Sequence, residues 1–157
     1  MIRAIFLDVD GTLISFSTHE IPASALRALA QAHERGVRLF IATGRAANDL
    51  GPLEGILYDG VVSLNGARCV ANDGRVVSLH PIPRADFERA LALSEEQGFA
   101  MGLELEEGVF VNRVTPDVER VAHMVAHPVP EQTDLRELFG RVECCQLCFY
   151  FDAETQR

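Results

Sequence analysis

Ile2-Arg3-Ala4-Ile5-Phe6-Leu7-Asp8-Val9-Asp10-Gly11-Thr12-Leu13 is an apolar run that ends in two aspartates one residue apart, followed by Gly-Thr. The run has no clear alternation, which predicts a strand buried on both faces within a parallel sheet. Along an extended chain, side chains at i and i+2 point the same way. Asp8 and Asp10 should therefore look into one crevice at the carboxyl end of the strand, with Val9 turned away. That end is where open α/β sheets bind ligands. Two carboxylates so close repel each other, and a hard divalent cation such as Mg²⁺ would offset them. The plainer alternative is an acidic strand end that only caps a turn.

Working outward, Ile14 to Glu20 is a mixed connector able to lie over the strand end as a flap. Pro22 to Arg35 reads as a helix, with Leu26, Leu29, Ala30 and His33 at helical spacing and Gly36 at its end. Val37 to Ala42 is a second buried-type strand closed by Thr43-Gly44-Arg45. Strand, helix and strand in that order imply a parallel pair, so both strand ends lie on one side of the sheet. Thr43 and Arg45 should then sit near the aspartates. A short helix is expected from about Ala46 to Leu50, and a third strand from Ile56 to Leu64, ending at Asn65-Gly66-Ala67. Cys69-Val70-Ala71 and Arg75 to Leu79 flank Asn72-Asp73-Gly74, a hairpin signal.

His80-Pro81-Ile82-Pro83 reads as a boundary, because two prolines in three residues stiffen a linker. It divides the chain into domains of residues 1–80 and 81–157. Beyond it the pattern gives a helix (about Arg84 to Gln97), two short strands across Glu106-Glu107-Gly108, a helix from about Pro116 to Ala126, a polar loop and a strand from Cys144 to Asp152.

Of the 157 residues 48% are hydrophobic and 24% charged, the balance of a globular protein. The net charge of −9 argues against nucleic-acid or acidic-membrane partners, which need a basic surface. An anionic ligand would have to be held locally, by a cation and a few arginines. All 14 basic residues are arginine. No leader-type segment opens the chain and no run approaches the ~18 apolar residues of a membrane span. A cytoplasmic location is expected, with Cys69, Cys144, Cys145 and Cys148 as free thiols.

Asp8 to Leu13, Ala42-Thr43-Gly44-Arg45 and Asn65-Gly66-Ala67 together resemble the haloacid dehalogenase (HAD) superfamily, in particular its Cof-type sugar-phosphate phosphatases. The resemblance implies an α/β fold: a partial Rossmann-like core with a parallel sheet, plus an α+β cap of the C2B type. It implies that Asp8 is a nucleophile forming an aspartyl-phosphate and that Asp10 is the general acid and then base. Mg²⁺ would be held by the Asp8 carboxylate and the Asp10 main-chain carbonyl. Gly11, Thr12, Thr43, Gly44, Arg45 and Asn65 would contact the substrate, a small phosphorylated metabolite. Arg45 would either bind substrate phosphate or fix its loop.

The family's third motif carries a lysine, and its fourth an acidic Gly-Asp-x-x-x-Asp type run; this sequence has neither. The expectation is an amino-terminal portion of a longer enzyme, a poor catalyst alone, with a first strand at the sheet edge that invites self-association. A phosphosugar mutase on the same core, or a non-catalytic binding or association module, are the alternatives. Cys145-x-x-Cys148 and His123 with His127 on one helix face have too few companion ligands for a metal centre. Glu104, Glu106 and Glu107 read as a solvated hairpin, and no GxGxxG follows a strand.

Overall fold

β1 (Ala4–Leu7) and β2 (Arg38–Ala42) form a parallel pair with Leu7 opposite Ile41, in a computed structural model that describes residues 2–51, 53, 56–125 and 127–151. Between them runs α1 (Ala23–Glu34), entered at Pro22 and left through Gly36 at φ +79°. Leu26 and Leu29 of α1 pack against the core cluster that includes Ile41 and Val61, whereas Ala30 is exposed. β3 (Gly60–Ser63) lies parallel to β2, and β4 (Arg68–Ala71) and β5 (Val76–Leu79) complete the sheet as antiparallel strands. The order is β1-β2-β3-β4-β5, so the first strand is at an edge.

The edge position is the expected one, but burial of β1 on both faces is not observed. Ala4 is exposed and Phe6 is 61% exposed, stacked on Phe40 at 4.9 Å between ring centres. The opposite face is covered, because Leu7 and the residues that follow it, Val9, Leu13 and Ile14, join the core.

Residues 46–50 form a turn rather than the expected short helix. Asp49 N–H donates to Ala46 C=O at 3.1 Å, and Gly51 at φ +65° followed by Pro52 leaves no room to propagate. The loop still buries Ala46, Leu50, Leu53 and Ile56. β3 also starts later than expected. Asp59 is clamped to β2 just before it, donating from its N–H to Leu39 C=O at 2.7 Å and accepting from Leu39 N–H on Oδ2 at 2.9 Å. The expected hairpin forms, turning through Asn72-Asp73-Gly74 with Gly74 at φ +84°.

Gly60 of β3, paired with Ala71 of β4, leaves no room for a side chain. A Cβ there would lie 2.8 Å from the Val70 carbonyl oxygen and 3.4 Å from both the Ala71 Cα and a Phe40 ring atom. Gly60→Ala is expected to cost about 1–3 kcal/mol, because the obstacle is backbone and cannot swing aside. Thermal denaturation reads this as a Tm lowered by several degrees, and an unchanged Tm would contradict that close approach.

The chain divides into two compact units, Met1–His80 and Pro81–Arg157. In the second, α2 (Arg84–Gln97) and α3 (Pro116–Met124) accompany a sheet of order β8-β7-β6-β9, made of β6 (Ala100–Leu105), β7 (Gly108–Val111), β8 (Glu131–Gln132) and β9 (Gln146–Tyr150). Asp152, the expected end of the last strand, lies outside the described residues, as does Ala126. α3 stops at Met124, so His127 is not on it and does not share a helix face with His123. The expected polar loop contains β8 and α4 (Leu135–Phe139). Asp134 caps α4, accepting from Arg136 and Glu137 N–H at 2.9 and 3.1 Å. The Asp134-x-x-Glu137 spacing is the signal that would have revealed this helix. Phe87, Leu91, Met101, Leu103, Leu105, Leu135 and Cys144 form one core cluster of this unit, and Ala100, Val111, Val118 and Tyr150 form another. Among the described residues no helix is long and apolar enough to cross a membrane.

Candidate active site

The carboxyl ends of β1 and β2 lie side by side, and each releases a loop onto the same rim. On the first loop Asp8 and Asp10 are exposed while Val9 between them is fully buried. The chain then tightens. Ile14 N–H donates to Val9 C=O at 2.9 Å and Gly11 N–H to Ile14 C=O at 2.8 Å. The Thr12 hydroxyl donates to Asp8 Oδ2 at 3.0 Å, fixing one oxygen of that carboxylate.

On the second loop Thr43 is buried, its N–H donating to Val62 C=O at 2.9 Å. Its Oγ1 accepts from Arg45 N–H at 3.2 Å. With a lone pair engaged in this way, the hydroxyl proton of Thr43 remains available as a donor.

Arg45 ties the loops together. Its Nε and Nη2 donate to the two oxygens of Asp10 at 2.9 and 2.7 Å, a bidentate pair across 35 positions of sequence. Nη1 reaches the Asp49 carbonyl at 3.4 Å and the Asp49 carboxylate at 4.0 Å. The hydrogen bond to Asp10, then the charges of Asp10 and Asp49, raise the Arg45 pKa against partial burial, so the guanidinium stays cationic. Of the two roles open to Arg45 from sequence, holding its loop against the aspartates is the one this geometry displays. Asp49 was missed, although its place four residues after Arg45 is the signal of a short-range ion pair.

The third loop, after β3, locks against the second. Leu64 N–H donates to Arg45 C=O at 3.0 Å and Asn65 N–H to Thr43 C=O at 3.2 Å. Leu64 and Asn65 both take positive φ, +49° and +54°. For a leucine this is an outlier costing about 1–2 kcal/mol, and it persists only where neighbours over-determine the backbone. Asn65 packs on Gly44, whose missing Cβ would sit 3.1 Å from Asn65 Oδ1. The structure thus brings Asp8, Asp10, Gly11, Thr12, Thr43, Gly44, Arg45 and Asn65 to one rim of the first unit.

The donors on this rim are hard oxygens, the class Mg²⁺ prefers. The Asp10 carboxylate is committed to Arg45, which leaves the Asp8 carboxylate and the Asp10 carbonyl. Such a small set fits Mg²⁺, which binds through one or two carboxylates and keeps several waters. Among the described residues no cluster of three or more His, Cys, Asp or Glu side chains could hold a metal.

The second unit holds a separate polar group. Glu104 on β6 stands opposite Gln146 on β9, accepts from its amide and from the Cys148 thiol at 3.4 Å, and is half-buried. This corrects the reading of Glu104 as solvated, because pairing across the sheet draws it in. Burial, reinforced by the charge of Glu104, pushes the Cys148 thiol up to about 12. Burial likewise lifts Cys144 to about 11. Both are protonated near neutrality and poor nucleophiles or ligands.

A family model for haloacid dehalogenase-like hydrolases matches residues 5–156. The solved structure of BT1666 from Bacteroides thetaiotaomicron, described among phosphatases of the HAD superfamily, superposes with a TM-score of 0.93 at 53% identity, covering 99% of this chain and 58% of that one. BT4131, a HAD subclass IIB sugar phosphatase, gives a TM-score of 0.83 at 30% identity, covering 98% and 60%. YkrA of Bacillus subtilis (strain 168), provisionally named a phosphatase, is 30% identical over 95 residues, 60% of this chain and 36% of its own length. The chain therefore spans less than two thirds of each of these relatives.

Proposed function

The chain belongs to the haloacid dehalogenase-like hydrolases, and from that membership we propose that it carries the nucleophile and phosphoryl-binding rim of a Mg²⁺-dependent hydrolase of sugar phosphates or similar phosphomonoesters. The observation that carries this reading is the bidentate Arg45–Asp10 pair, which draws the Thr43 loop against the loop bearing both aspartates.

Thr12 fixes one oxygen of Asp8, and the other attacks phosphorus as the bond to the leaving oxygen breaks. In this structure both Asp10 oxygens accept from Arg45, so to act as general acid Asp10 opens that pair and takes up a proton as substrate binds, then gives it to the leaving alkoxide. It then takes a proton from the water that cleaves the aspartyl-phosphate, which restores Asp8. A positioned acid and base of this kind contributes about 10²–10⁴ in rate. The Thr43 hydroxyl receives a phosphoryl oxygen, and Gly44 lets backbone approach closely. Mg²⁺, when bound by the Asp8 carboxylate and the Asp10 carbonyl, neutralises charge between nucleophile and phosphate. Residues 81–157 act as the cap, α/β core and cap together making the two domains.

These 157 residues hold no lysine, so the positive charge they can bring to the transferred group is that of a bound cation and of arginine. The chain alone should turn over slowly. Chelation of divalent cations is expected to lower phosphate release from sugar phosphates by about 10²-fold or more, with recovery on adding Mg²⁺. Release that ignores chelator would refute the metal's part. Phosphate retained on an isomerised sugar would point instead to a mutase.

A further inference from the structure

Beside the aspartates stands an aromatic side chain that the proposed chemistry does not use. The connector after Ile14 closes into a tight flap. His19 N–H donates to Ser15 C=O at 2.8 Å, Ser15 N–H to Glu20 C=O at 3.3 Å, and Ser17 N–H to Ser15 Oγ at 3.2 Å. The flap thrusts Phe16 outward, 74% exposed. One edge of its ring lies on the bare α-carbon of Gly11. A Cβ at Gly11 would fall 2.4 Å from Phe16 Cε2, 3.0 Å from Cζ and 3.2 Å from Cδ2. Gly11 holds φ +76°, so this position disfavours any side chain twice over.

A solitary exposed apolar residue is ordinary. Two observations set Phe16 apart. Its ring occupies the space of the missing Gly11 side chain, one residue from Asp10. Most of its surface stays open to solvent although the ring is anchored to the loop that carries both aspartates. The other side chains named on this rim, Asp8, Asp10, Thr12, Thr43, Arg45 and Asn65, are polar or charged and offer no apolar surface to the organic half of a phosphomonoester. Ligand sites pair a few polar groups with aromatic walls, and an aromatic face suits the C–H face of a cyclic sugar.

We propose that Phe16 is a specificity-determining wall that stacks on the ring of the sugar carrying the phosphate, so that ring-form sugar phosphates are favoured over open-chain ones by the first unit itself. This rests on the phosphatase reading of the same rim. The test uses the 157-residue chain with Mg²⁺ and follows glucose 6-phosphate, glycerol 3-phosphate and inorganic phosphate by NMR, comparing wild type with Phe16→Ala and Phe16→Leu.

In wild type the sugar C–H resonances should move upfield under the ring current. Both variants should abolish that shift. Phe16→Ala should weaken glucose 6-phosphate about three- to tenfold, the equivalent of one aromatic contact, while inorganic phosphate and glycerol 3-phosphate stay within about twofold. Retained phosphate binding also shows that the variants are folded. Equal weakening of all three ligands, or no weakening of glucose 6-phosphate, would overturn the role of Phe16 and leave the phosphatase reading standing. Failure of wild type to bind any of the three would overturn both.

Discussion

Asp8→Asn is expected to reduce phosphate release by on the order of 10³-fold or more, the scale of losing a covalent nucleophile. The substitution is nearly isosteric and Asp8 is exposed, so stability should move by less than about 0.5 kcal/mol. The Thr12 hydroxyl, which donates to Asp8 Oδ2 at 3.0 Å, keeps an acceptor in the amide oxygen. Asparagine offers no carboxylate to form an acyl phosphate, so the loss is chemical rather than structural. Two proteins suit the measurement: the chain itself, and a fusion that adds the part of BT1666 it does not span. Quenching during turnover and reducing with borohydride labels an aspartyl-phosphate at residue 8 in the wild type. A variant that released phosphate as fast as wild type would remove Asp8 from the chemistry. The label on another carboxylate would do the same.

How much of this site is legible in the sequence depends on the range of the interaction involved. The exposure of Asp8 and Asp10 around buried Val9 follows the alternation a strand would give, although β1 stops at Leu7 and the loop continues that pattern. The approach of Thr43 and Arg45 needs only the parallel order of two strands joined by a helix. What Arg45 does there is not legible. A carboxylate 35 residues away and a substrate phosphate satisfy a guanidinium equally well. The positive φ of Leu64 leaves no trace either, because leucine is not a residue that favours it, and two backbone bonds to the Thr43 loop impose it. The expectation of a helix over residues 46–50 failed from local propensity: Ala46 and Ala47 favour one, but five residues before Gly-Pro cannot repay nucleation. β1 shows the opposite failure. Its composition suits burial on both faces, while Phe6 is open on one, since a pattern records what a strand is suited to meet and not what is present.

Phe87→Ala is expected to cost the second unit about 3–5 kcal/mol. Phe87 is fully buried and stacked on Phe139 with ring centres 4.0 Å apart and planes 7° apart. It also touches the cluster of Leu91, Met101, Leu103 and Leu135, so truncation leaves a cavity walled by rigid neighbours on several elements. Domains are stable by only about 5–15 kcal/mol, and one this small lies near the lower end. Amide exchange should therefore lose protection across Ala100–Leu105 while Arg38–Ala42 keeps it. The functional consequence separates the proposed roles of the two units. Every group assigned to the phosphoryl chemistry, from Asp8 to Asn65, belongs to Met1–His80. Inorganic phosphate with Mg²⁺ should then bind Phe87→Ala as it binds wild type, while discrimination among sugar phosphates that depends on residues 81–157 falls away. Joint loss of protection in both units, together with loss of phosphate affinity, would show that the rim cannot stand without the second unit and that the division between core and cap is wrong.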